Sequence, residues 1–174
     1  RDIMEHGLTT PFGQRTMTLG MAAVQIAARD KLKTNDNSAG SSGEKSDILV
    51  HKWQVLESVT EAKDALMLSD RTLAVLSALL SFHQEITLGS GSLVVFPSNA
   101  KLSQRTHGMS PATLRRHLAC LLEAGVIIRR DSPNGKRYAR FDPHGEVAQA
   151  YGFVLSPVVV RAVEFRELAE EARA

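Results

Sequence analysis

Residues 94–141, VVFPSNAKLSQRTHGMSPATLRRHLACLLEAGVIIRRDSPNGKRYARF, decide the fold of this chain. Ser98 is placed to cap a helix over 99–105, and His107-Gly108-Met109 supplies a turn in which glycine tolerates a left-handed backbone. Ser110-Pro111 then sets a capping hydroxyl before a proline at the first helical position, where proline's fixed φ is already helical. The helix that follows runs to Ala124, and Gly125 stands where a C′ glycine belongs. Two helices joined by a tight glycine-containing turn form a helix-turn-helix. Beyond them, Val126-Ile-Ile-Arg-Arg and Lys136-Arg-Tyr-Ala-Arg-Phe read as two strands of a hairpin closed by Asp131-Ser-Pro-Asn-Gly, whose Pro133, Asn134 and Gly135 suit a turn. A helix-turn-helix followed at once by a basic hairpin predicts a winged helix. The expected class is mainly α, of the α+β kind, with a short β-hairpin wing and additional flanking helices.

Upstream, Ser69 or Asp70 caps a helix running to about His83, with Leu73, Leu76, Leu79 and Leu80 on its apolar face. Before it, Leu49, Trp53, Leu56, Val59 and Lys63 share one side of another helix, with Trp53 as a core anchor. Leu93-Val-Val-Phe, closed by Pro97, predicts a short strand. The Gly89/Gly91 pair ahead of it is a turn rather than a phosphate loop, since no Lys-Ser/Thr follows. Thr18 to Leu32 has helical periodicity, and Thr34 to Asp47 is a flexible linker by composition. Ser156-Pro157 opens a last helix, whose Val160, Val163 and Leu168 mark its packing face. The chain thus divides into an N-terminal arm and linker (1–47), a winged-helix domain (48–141) and a C-terminal helix (142–174) that leads to a further domain. Arg1 in place of methionine, with Met4 just inside, predicts a longer natural protein.

The 174 residues carry a net charge of only +2, yet residues 101–140 hold nine Lys and Arg against two acids. That segment is +7 and the remainder −5, the polarity of an electrostatic footprint on phosphate. One cysteine, Cys120, permits no internal disulfide, which suits a cytoplasmic protein. No apolar run approaches the ~20 residues of a membrane span, so no membrane partner is expected. The six histidines lack the spacing of a zinc site, with His107 and His117 expected to touch solvent or phosphate. The carboxylates of 164–171 form a solvated face. No catalytic group, metal or cofactor is expected.

Within the 111–124 helix, Leu114, Leu118, Leu121 and Leu122 gather on one side and must face the core. Thr113 and Arg116 on the other side are the candidate base readers, since arginine bonds guanine O6 and N7 and the threonine methyl contacts thymine. Arg115 is assigned to base or phosphate, with Ser110 at the helix tip. Ser98, Asn99 and Lys101 would hold a phosphate, and Arg130, Lys136 and Arg137 would follow the backbone or enter the minor groove. Double-stranded DNA is therefore the expected partner.

The stretch KWQVLESVTEAKDALMLSDRTLAVLSALLSFH (52–83), with VVFPSNAKLSQRTHGMSPATLRRHLACLLEAGVIIRRDSPNGKRYAR (94–140), resembles the RepC family of replication initiators of alphaproteobacterial repABC plasmids. TTPFGQR (9–15) and YGFVLSPVVVRAVEFRELAEEAR (151–173) extend the likeness over most of the chain, as the family's N-terminal domain. The resemblance implies a cytoplasmic protein that binds a plasmid origin, lying within the initiator's own coding region in this family. It also implies recruitment of host replication proteins through the part of the protein beyond this chain. A winged-helix transcriptional regulator is the alternative, since the fold alone does not distinguish the two. A nuclease or nucleotidyl transferase would need a carboxylate cluster for Mg²⁺. Tyr138 and Tyr151 are better explained as wing and packing residues.

Overall fold

The computed structural model describes residues 48–89 and 91–174. The expected arm and linker, 1–47, lie outside the described residues. Strand β1 (Val50–His51) leads into helix α1 (Lys52–Glu61), and α2 (Asp70–Phe82) is followed by β2 (Thr87–Leu88) and β3 (Val94–Val95). Then come α3 (Asn99–Arg105), α4 (Pro111–Glu123), β4 (Ile128–Arg130), β5 (Tyr138–Phe141), β6 (Val147–Val154), α5 (Ser156–Val160) and α6 (Ala162–Arg173). The architecture is mixed α+β with small antiparallel sheets.

Helices α2, α3 and α4 begin where a serine side chain satisfies one of their first amides. Ser69 Oγ accepts from Thr72 N at 3.2 Å, Ser98 Oγ from Lys101 N at 3.3 Å, and Ser110 Oγ from Thr113 N at 3.3 Å, each cap contributing about 1 kcal/mol. Helix α4 ends as expected at Gly125, whose φ of 67° few other residues accept. There Val126 N bonds Leu121 O and Gly125 N bonds Leu122 O, both at 3.1 Å, the two bonds of a Schellman cap. Leu73, Leu76, Leu79 and Leu80 of α2 meet Leu114, Leu118, Leu121 and Leu122 of α4 in one buried cluster, joined by Leu102 of α3. Each such leucine removed from water contributes roughly 1.5–3 kcal/mol.

The strands pair differently from the expected hairpin. Both β4 and β5 pair with β6, through Arg130↔Gly152 and Tyr138↔Tyr151, and β3 pairs with β6 through Val95↔Phe153. Ser132-Pro-Asn-Gly does turn, with Gly135 N bonding Ser132 O at 3.0 Å, but it is an excursion between two strands that share a partner. The hairpin itself closes at Asp142–Glu146, where Asp142 N bonds Glu146 O at 2.8 Å. The division at 141/142 therefore does not separate two packing units. Beyond it lie the strand that holds the sheet together and helix α6, whose Phe165 is buried in the common core and whose Arg173 pairs with Glu61 of α1. At Gly152 an added Cβ would lie 2.2 Å from Val95 O, so only glycine lets β3 cross this close.

Two helix faces also differ from expectation. Trp53 is 39% exposed, whereas Lys52 is 4% exposed. The Lys52 ammonium donates to His83 O at 2.6 Å, capping the end of α2, and burial followed by the nearby Arg105 holds its pKa below the usual lysine value. Ser156 makes no side-chain cap, and the expected last helix is two helices broken at Arg161. That break shifts the phase, so Phe165 and Ala169 are buried while Val160 and Val163 face outward and Leu168 is half-buried.

Candidate nucleic-acid interface

Helix α4 turns its leucines inward, leaving Ala112, Arg115 and Arg116 exposed and Thr113 half-buried along its outer side. Ser110 is exposed at the tip, and its hydroxyl donates to Thr113 Oγ1 at 2.9 Å. The α3–α4 turn holds two left-handed residues in succession, His107 at φ 59° and Gly108 at φ 85°, and Gly108 N bonds Ser103 O at 2.8 Å.

The nine cations of the basic segment sort into two groups. Three are engaged by the protein. Arg105 donates to Ser81 Oγ at 2.6 Å and lies 3.6 Å over the Phe82 ring, and Arg129 pairs with Asp131. Arg137, expected on the DNA, donates instead to Pro97 O at 2.6 Å and Asn99 Oδ1 at 2.7 Å, with its guanidinium 4.8 Å over Phe153. Burial, then Arg129, lowers its pKa from the usual arginine value. The remaining six, Lys101, Arg115, Arg116, Arg130, Lys136 and Arg140, are exposed, and among the described residues none has a carboxylate partner. Arg140 lay in the basic segment without being singled out in the sequence, and Tyr138, 6.0 Å beneath it, is its ring neighbour. Tyr138 and Tyr151 form a cross-strand pair with centroids 5.1 Å apart.

His117 is half-buried and departs from expectation, for its Nδ1 lies 2.9 Å from Thr72 Oγ1 and links α4 to the start of α2. Burial, then the charges of Arg116 and Arg71, lowers its pKa. Among the described residues no group of three or more His, Cys, Asp or Glu is placed to hold a metal, and no helix is long and apolar enough to cross a membrane.

These features define a mixed α+β domain that presents exposed cations on the outer side of a short helix pair and on neighbouring strands. The chain belongs to the replication protein C N-terminal domain family, which it matches over residues 15–174. It is 46% identical over 168 residues to a Sinorhizobium fredii protein assigned the name replication protein C, covering 96% of this chain and 38% of that protein. A Rhizobium rhizogenes protein assigned the same name is 45% identical over 170 residues, with the same coverage. The chain thus spans 38% of the length of these relatives. No solved structure matches it.

Proposed function

We propose that this chain is the origin-binding part of a cytoplasmic plasmid replication initiator, reading double-stranded DNA with a winged helix-turn-helix. Helix α4 is the recognition helix, and the β5–β6 hairpin is the wing. The observation that carries this reading is the set of six exposed cations that have no carboxylate partner among the described residues, on a scaffold whose leucines and caps fix the helix that bears two of them. Arg116 and Thr113 contact bases, Arg115 a base or phosphate, and Ser98, Ser110, Lys101, Arg130 and Lys136 phosphates. Asn99 acts chiefly by holding Arg137, and Arg137 by placing the hairpin. The domain acts as a binding module, not an enzyme, and host replication proteins are recruited by the remainder of the longer protein.

Selection from a randomised duplex pool, followed by anisotropy titration at graded salt, tests the reading. A single preferred sequence is expected, and the logarithm of affinity should fall against the logarithm of salt with a slope of about −5, for about six neutralised phosphates. Salt-insensitive or sequence-indifferent binding would overturn it.

A further inference from the structure

Toward the far end of the hairpin two apolar side chains stand uncovered. Phe141 is 60% exposed and Val147 is 40% exposed, and the two are paired across β5 and β6. Pairing slips between Arg140↔Gln149 and Phe141↔Val147, which leaves Ala148 as an extra residue on β6. Such a bulge re-aims the side chains beside it. The turn beyond is firmly built, because Asp142 Oδ1 accepts from His144 N at 2.8 Å and Glu146 N at 2.9 Å, and Gly145 N bonds Asp142 O at 3.0 Å. Of the two tip carboxylates, that of Asp142 is thereby occupied with its own turn. Holding a large aromatic ring in water on a well-ordered tip contributes nothing to the core.

The surroundings specify what the ring meets. Arg140, exposed, precedes it, and Val147 lines a groove of about 300 Å³ together with Arg130 and Ser92. The apolar tip is therefore continuous with the cationic surface. At the other end Arg137 ties the hairpin to the start of α3. We propose that Phe141, backed by Val147, is an apolar wedge that enters the minor groove of the bound duplex and unstacks one base step. The proposal rests on the DNA-binding reading above. Phenylalanine and other apolar side chains act this way in proteins that kink DNA from its minor groove, with nearby cations contacting the flanking phosphates.

The test uses the full chain and the duplex recovered from the randomised pool, with 2-aminopurine substituted at successive positions. Binding should raise fluorescence at one step only. Phe141→Ala should abolish that rise and weaken binding about 5- to 140-fold, the loss expected for one base–aromatic stack, while Phe141→Trp should retain both. Thermal unfolding of Phe141→Ala should match the unsubstituted chain, because the ring is exposed. Binding with no fluorescence rise at any step, or a rise that survives Phe141→Ala, would overturn the wedge and leave the DNA-binding reading standing. Failure to bind any duplex would remove both. If Phe141→Ala binds DNA normally but loses self-association in sedimentation, the tip serves a second copy of the chain and the wedge is wrong.

Discussion

Arg137 donates to Asn99 Oδ1 at 2.7 Å, joining the residue that enters β5 to the first turn of α3 across 38 positions of sequence. With its second bond to Pro97 O, this contact fixes the hairpin relative to the helix pair. Arg137→Ala should lower stability to urea by roughly 1–2 kcal/mol, the range for charge-assisted bonds reduced for partial exposure. DNA affinity should fall with it while the salt slope stays unchanged. A slope reduced by about one would instead make Arg137 a phosphate contact.

Arg116 and Lys136 are both exposed cations, but they sit on different chemistry. Arg116→Ala should cost roughly 1–3 kcal/mol and relax preference at one base position. Lys136→Ala should weaken binding to every sequence and flatten the salt slope by about one. Competition titrations with single-base variants of the selected duplex distinguish them, and equal, sequence-independent losses would remove Arg116 from base reading.

His117 gives the fold a pH dependence. Its folded pKa lies below the ordinary value of 6.5 because of burial and then the charges of Arg116 and Arg71. Well above 6.5 both folded and unfolded histidine are neutral and the group is silent. As pH falls below 6.5 the unfolded chain takes up the proton first, so stability drops until the folded pKa is passed. His117→Gln should reduce this loss, measured as the thermal midpoint against pH. An unchanged pH profile would assign the dependence to other groups.

Gly152 sits where the backbone of β3 passes close against β6. Gly152→Ala should destabilise the fold by about 3 kcal/mol or more, since the clash is with a backbone oxygen at 2.2 Å and not with a movable side chain. Chemical denaturation checks this, and a near-neutral effect would mean that β3 yields easily.

Much of the candidate site was legible because its signals are local. Ser98, Ser110, Pro111 and Gly125 mark helix ends within one turn of themselves, and the α4 leucines recur at helical spacing, so the outward placement of Arg115 and Arg116 follows from the sequence. The bonds of Arg137 to Pro97 O and Asn99 Oδ1 were not legible, because charge in sequence does not reveal that two oxygens wait about forty residues upstream. The contact of His117 was hidden for the same reason, its partner Thr72 lying 45 positions away.

The sequence by itself determined helices α2, α3 and α4, their caps, the turn and the concentration of positive charge. These follow from periodicity, steric preference and composition within a few residues. Only the tertiary structure decided that β6 joins β3, β4 and β5, that Lys52 rather than Trp53 is buried, and which six cations have no carboxylate partner among the described residues. Strand pairing and burial depend on which distant backbone a short segment meets. Two- to four-residue strands carry too little pattern to name that partner alone.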